Sequence, residues 1–496
     1  MKKRLIIFML LAGLSSIWAE DSYKIEDIVL PKGVDPQIGA LAFMPDGRLM
    51  VSFNYGKVFA YNPSTKKWKL FAEGLQLPLG MLALNDKEVL VMQRAELTKM
   101  IDHDGDGVAD SFEKVYDGFG VSGNYHEYAY GPIRDKNGNL YVALNVASNN
   151  GGITPEVRGE FKSFDASQKQ LAGKFKKKSV SRMYSCVPYR GWVIKISPDG
   201  TVTPYASGVR SPNGLGFDHK GRLLVTDNQG DWMGTSKLHH IEAGKFYGHP
   251  ASLVWDPKVD GDPMEIPVDE LNNMRTPAAA VFPHGLIANS PTQPLLDDTA
   301  GKFGPFSNQM IIGEMNQSHL VRFIPDEVAG SLQGAVVPFL NKTSLGKGNN
   351  RLAFAPDGSL WVGRIHLKWA GSEGLKRIVY TGKPPFELLG LKLTADGFDL
   401  TFTKSLDPAT VKQLSASMLK CYFYEYHEAY GSKQMDMQKV VVRESKLSKD
   451  GRSLSFTLPE LKEGYVYEFD LKALKNQAGQ TLVSPVFSYN LIHKLR

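Results

Sequence analysis

Asp102 to Glu113 read DHDGDGVADSFE, with carboxylates at Asp102, Asp104, Asp106, Asp110 and Glu113, a glycine at Gly107 and a backbone carbonyl available at Val108. This is the twelve-residue spacing that wraps hard oxygen ligands around a calcium ion. Without a cation the carboxylates would repel one another, so the sequence predicts a Ca2+ loop with a structural role, running into a short helix over 111–116. A second chemical cluster follows in SGVRSPNGLGFDHKGRLLVTDNQGDW, Ser207 to Trp232. Asn228, Gln229 and Asp231 offer the mixed donors and acceptors that a sugar requires, and Trp232 is the aromatic platform. Tyr125 and His126 form another polar and aromatic pair, and a histidine can accept a proton near neutral pH.

The elements that must position these residues are short strands. A turn bearing Gly, Asn or Asp precedes a short apolar run six times, in PDGRLMVS, NDKEVLVMQ, DKNGNLYVALN, HKGRLLVTDN, SNQMIIGEM and PDGSLWVGR. After each comes a second amphipathic strand, from Lys57, Leu97, Gly191, Lys237, His319 and Leu375. A lone strand pair cannot bury both faces, whereas units packed around an axis can. The prediction is an all-β chain with a six-bladed β-propeller over 20–382. From Pro384 the rhythm changes to alternating strands with polar turns, which predicts an immunoglobulin-like β-sandwich over 383–496, with a Tyr- and Phe-rich strand and an exposed aromatic turn within 415–433.

The first nineteen residues, MKKRLIIFMLLAGLSSIWA, have a basic start, an apolar run from Leu5 to Leu14 and a small residue at Ala19. This is the pattern of a cleavable signal peptide, too short to span a bilayer, and it predicts a periplasmic or secreted protein with no transmembrane segment after cleavage. Loss of Lys2, Lys3 and Arg4 lowers the formal charge from +6 to +3, which gives nucleic-acid binding no support. Cys186 and Cys421 are the only cysteines, and their spacing does not decide whether they pair. No Cys-x-x-Cys-His occurs, which excludes covalently attached haem.

Three patches resemble the soluble quinoprotein glucose/sorbosone dehydrogenases: YHEYAYGPIRDKNGNLYVALN, GVRSPNGLGFDHKGRLLVTDNQGD and GKFYGHP. The resemblance covers roughly Gly33 to Thr381 and extends to the propeller module of secreted bacterial "membrane-bound dehydrogenase domain" proteins. It implies a six-bladed propeller carrying pyrroloquinoline quinone and calcium, with hydride passing from a sugar to the quinone and electrons leaving to an external acceptor such as a separate cytochrome. It places the catalytic histidine on His126 and the active-site arginine on Arg210. The cofactor environment falls at Gln229, Gly230, Asp231 and Arg351, and His284 borders the pocket. The sequence also departs from the family. Tyr125 stands where an acidic residue precedes the histidine, Asn316 replaces a quinone-contacting lysine, and Gly348 and Asn350 replace two arginines, with Arg351 one place off. A one-residue shift in a strand turns a side chain to the opposite face. The alternative is a non-redox propeller that binds or processes a polysaccharide and has lost the quinone. Lys347 or Arg351 pointing into the pocket favours the quinone; a pocket lined by Tyr125, Asn228, Asp231 and Trp232 favours the sugar. The lysine-rich insert Arg158 to Gly191 adds a basic flap that would attract an anionic ligand.

Overall fold

The computed structural model describes residues 19–148, 157–162, 183–341, 343–367, 371–414 and 418–495. The predicted signal peptide through residue 18, and the lysine-rich centre of the insert, lie outside the described residues. Among the described residues no helix is long and apolar enough to cross a membrane.

Six antiparallel blades of four strands form around an axis, five of them separate sheets and blade five part of a larger one. The two strands expected of each unit are the middle pair of each blade, such as Leu49–Phe53 with Val58–Asn62 and Leu223–Asp227 with Ser236–Ile241. Each blade adds an inner and an outer strand. The inner strands, Ile38–Phe43, Gly80–Ala83, Ala129–Arg134, Pro212–Phe217, Pro291–Leu296 and Asn349–Phe354, touch in sequence order, and the last closes on the first. Blade six takes its outer strand from the N-terminal side of the chain, where Tyr23–Ile28 pairs antiparallel with Leu375–Tyr380. This joins the two ends of the ring through backbone hydrogen bonds.

Six apolar clusters fill the six gaps between blades. One holds Ala40, Val58, Val89 and Val91 between blades one and two, and another holds Ile38, Leu49, Trp361 and Leu375 where blade six meets blade one. Each face of a strand pair is thus covered by its neighbour, the burial that a single pair lacks.

Ser111–Tyr116 is the outer strand of blade two, not the expected helix. Its exposure pattern explains the misreading: four consecutive residues face solvent, so the strand shows no alternation.

The chain leaves blade six at Tyr380 and builds two further sheets from Leu388 onward. One is not separate from the propeller. Val486–Leu491 pairs with the outer strand of blade five, Ser331–Phe339, to give one continuous eight-stranded sheet. Apolar residues of both sheets form one core, with Phe398, Leu400, Tyr467 and Tyr489 at its centre. The buried Arg322 of blade five donates to Leu388 O at 2.9 Å and to Gln309 Oε1 at 2.7 Å, fixing the joint. Cys186 packs with Ala147 and Tyr184 of the propeller, whereas Cys421 lies in the sandwich core, and the two are not bridged.

Candidate functional site

In blades three to five the residue that follows the second strand lines one mouth of the propeller. In blade three this is Asn145, after Leu140–Leu144; in blade four it is Asn228, after Leu223–Asp227. The residues entering the inner strands are held by the same strands. Asp227 accepts the backbone N–H of Arg210 at 2.8 Å and of Ser211 at 2.7 Å, and Glu314 of blade five does the same for Asn289 and Ser290 at 2.8 and 2.6 Å. These carboxylates fix where Arg210 and its neighbours emerge.

A cavity of about 590 Å³ opens there, within the range of ligand pockets. Of the residues expected to form a site, Tyr125, His126, Arg210, Asn228, Gln229 and His284 line it. His126 and Arg210, eighty-four positions apart, are brought to one mouth as the sixfold closure requires. The lining is otherwise rich in asparagine and tyrosine, including Asn213, Asn289, Asn316, Tyr128 and Tyr430.

His126 sits in a turn made by Asn124, whose Oδ1 accepts from the His126 N–H at 3.0 Å. Its Nδ1 lies 2.7 Å from Val146 O. A carbonyl can only accept, so Nδ1 carries the proton and Nε2 is left as the acceptor, 3.4 Å from Ser211 Oγ. Burial first, then the Arg210 charge, lowers the imidazole pKa to about 4. The ring is therefore neutral at neutral pH and acts as a hydrogen-bond acceptor towards the cavity.

Arg210 donates from Nε to Asp231 Oδ1 at 2.9 Å, and both side chains are buried. Asp231 Oδ2 accepts from the Met183 N–H at 3.0 Å and lies 3.3 Å from His249 Nε2. Burial raises the pKa of this carboxyl, but the His249 hydrogen bond and the Arg210 charge outweigh it and hold the group well below the usual carboxylate range. Asp231 is therefore an anchor for Arg210 and lies outside the cavity lining, contrary to expectation. Only Nε of Arg210 is bonded to protein among the described residues, so its terminal nitrogens remain as donors at the cavity wall. Gly230 makes this possible: a Cβ there would meet the guanidinium at 1.9 Å.

Trp232 is not a sugar platform. It is 2 % exposed, packs on Tyr426 at 5.4 Å and stands outside the cavity lining. Arg351 does not reach the mouth either. It lies in the tunnel below, donating to Leu79 O, Asn213 O and Asn350 O at 2.9 to 3.0 Å, with its guanidinium over Tyr130. Lys347 is exposed and outside the lining.

Sequence reasoning missed Asn145, although it occupies the same repeat position as Asn228. Asn145 is 1 % exposed; its Nδ2 donates to Ser211 Oγ at 3.3 Å, and its Oδ1 has no partner in the protein. Asn228 Oδ1 is likewise buried and unpaired. Buried polar atoms are nearly always paired, and of the buried unpaired atoms among the described residues these two belong to side chains that line the cavity.

The described residues of this lining do not supply the cations that pyrroloquinoline quinone needs. A tricarboxylate needs several cations, and among the described residues Arg210 is the one lysine or arginine at the cavity, already neutralised by Asp231. The Gly230 carbonyl, expected beside a catalytic calcium, accepts from the N–H groups of Met233 and Gly431 at 3.2 and 2.9 Å.

At the acidic loop, Asp102, Asp104 and Asp106 bring one carboxylate oxygen each within 4.8 Å of one another. Asp102 accepts from the Gly105 and Gly107 N–H groups, and Asp110 from that of His103. The backbone of Val108 donates to Asp106 Oδ1. Glu113 does not join them. It lies in the outer strand of blade two and pairs with Lys99 at 2.7 Å.

The described residues form a six-bladed propeller with a cavity at one mouth. A family model described as a domain of unknown function, DUF7133, matches residues 64–253. No curated protein matches. Similar solved structures include an oxidoreductase described as a glucose dehydrogenase from Thermus thermophilus, 17 % identical with a TM-score of 0.49, covering 72 % of this chain and 100 % of that one. The aldose sugar dehydrogenase of Streptomyces coelicolor, solved with its quinone bound, is 15 % identical with a TM-score of 0.46, covering 72 % and 98 %. The soluble aldose sugar dehydrogenase of Escherichia coli is 12 % identical with a TM-score of 0.47, covering 72 % and 100 %.

Proposed function

We propose that the mouth cavity binds a neutral sugar or closely related polyol through hydrogen bonds, without a quinone. The observation that carries this reading is the pair of buried, unpaired amide oxygens of Asn145 and Asn228 beside the unbonded donors of Arg210. A hydroxyl both donates and accepts, so adjacent sugar hydroxyls satisfy such a mixed wall, with His126 Nε2 as a further acceptor. Because the Arg210 charge is balanced by Asp231, the described residues of the cavity offer an acidic ligand no surplus cation. Gln229, Tyr125 and His284 complete the sugar contacts.

Asp102, Asp104 and Asp106 would hold a structural Ca2+ that ties the blade two loop together, remote from the cavity; chelation then lowers the melting temperature without changing sugar affinity. The chain is proposed to work in the periplasm or outside the cell.

The test is a calorimetric and thermal-shift panel of the purified protein with glucose, galactose, cellobiose, glucuronate, and pyrroloquinoline quinone with calcium. Binding of at least one neutral sugar and no retention of the quinone is the expected result. Quinone retention with sugar-dependent dye reduction would overturn the reading in favour of a quinoprotein dehydrogenase feeding an external acceptor such as a cytochrome.

A further inference from the structure

The loop between Leu419–Tyr424 and Gln434–Lys439 leaves the edge of the sandwich and docks on the propeller. Its backbone is held firmly: the Gly431 N–H donates to Gly230 O at 2.9 Å, the Ser432 N–H to Gly234 O at 2.7 Å, and Tyr430 bridges Asp231. Tyr426 anchors the base of the loop. Its hydroxyl donates to Gly248 O at 2.6 Å, and its ring lies between Trp232 and the Arg275 guanidinium.

Tyr430 behaves differently from Tyr426. It is 49 % exposed on an otherwise anchored loop, lines the mouth cavity, and presents its ring to Arg210 with 5.5 Å from guanidinium to centroid. The turn it rests on, from Asn228 to Gly234, also carries Asn228 and Gln229 to the cavity. A large aromatic ring held half-bare beside polar ligand groups is suited to cover the apolar face of a sugar ring while neighbouring amides take its hydroxyls.

We infer that the sandwich completes the site, with Tyr430 supplying the aromatic wall on which a cyclic sugar stacks. This rests on the sugar-binding reading above and makes the cavity selective for closed rings over open-chain polyols. The deduced platform takes the part expected of Trp232, but comes from the C-terminal sandwich.

The experiment uses the full chain and its Tyr430→Ala and Tyr430→Phe variants, titrated calorimetrically with methyl β-glucopyranoside, cellobiose and sorbitol. Tyr430→Ala should bind the cyclic sugars about tenfold more weakly with sorbitol binding unchanged, and Tyr430→Phe should retain wild-type affinity. Unchanged affinity of Tyr430→Ala for the cyclic sugars, or an equal loss for sorbitol, overturns the inference and leaves the sugar-binding reading standing. Failure of the wild type to bind any of the three removes both.

Discussion

Two arginines lie near the propeller axis, each 4 % exposed, and they differ in what satisfies them. Arg351 is enclosed by protein acceptors: Nε bonds Leu79 O, while Nη1 bonds the Asn213 and Asn350 carbonyls across the tunnel. Arg210 is anchored through Nε alone, with its terminal nitrogens at the cavity wall. Burial and charge do not separate the two. The count of protein partners does: a saturated guanidinium closes a tunnel, and a partly bonded one at a cavity leaves donors for a ligand. The resemblance to quinoprotein dehydrogenases assigned both to one cofactor site, and the geometry divides them.

Replacing Arg210 tests that division with the largest expected effect. Arg210→Ala leaves the Asp231 carboxylate buried beside His249, and should cost about 3–5 kcal/mol of stability together with sugar binding, read by denaturant unfolding and calorimetry. Arg351→Ala breaks the bonds across the tunnel and orphans buried carbonyls, which should cost about 2–3 kcal/mol while sugar affinity is preserved. A large affinity loss in Arg351→Ala at unchanged stability would erase the distinction.

Acid offers a gentler probe of the same wall. The His126 pKa is lowered to about 4 by burial and then by Arg210, and burial also lowers His239 and His319. The unfolded chain takes protons on these histidines near pH 6.5, so it binds more protons than the folded state below that pH. Stability is therefore full above about pH 6.5 and is lost as the pH falls towards about 4, at about 1.4 kcal/mol per unit of pKa depression for each group. Sugar affinity should hold at pH 5, because His126 Nε2 is still an acceptor there. A fall in affinity with a midpoint near pH 6.5 would mean that the ring titrates like an exposed imidazole.

The middle strands of all six blades were legible because each is announced by a turn such as Pro45 to Gly47 and carries a strong apolar run. Ring closure was not legible, since the pairing of Tyr23–Ile28 with Leu375–Tyr380 joins segments about 350 residues apart and leaves no local pattern. The merging of blade five with the sandwich is hidden for the same reason. At the site, His126, Arg210, Asn228 and Gln229 were found through motif and residue type. Asp231 and Trp232 were misplaced because a strand-to-turn sequence does not say which residue turns inward. Trp232 takes a positive φ of 59° in that turn, which directs it away from the cavity into an apolar patch with Phe246 and Leu253. Glu113 matched a ligand spacing, but strand pairing with Lys99 claimed it.

Asn145→Leu gives the most direct test of the central claim, since it removes a buried polar group that has no protein partner at its Oδ1 and keeps the side chain about the same size. Titration of wild type and variant with the neutral sugar that binds best should show affinity at least tenfold weaker in Asn145→Leu, with thermal stability equal or higher. Equal affinity in the two proteins, or a variant that unfolds while the wild type binds no neutral sugar, would contradict the account.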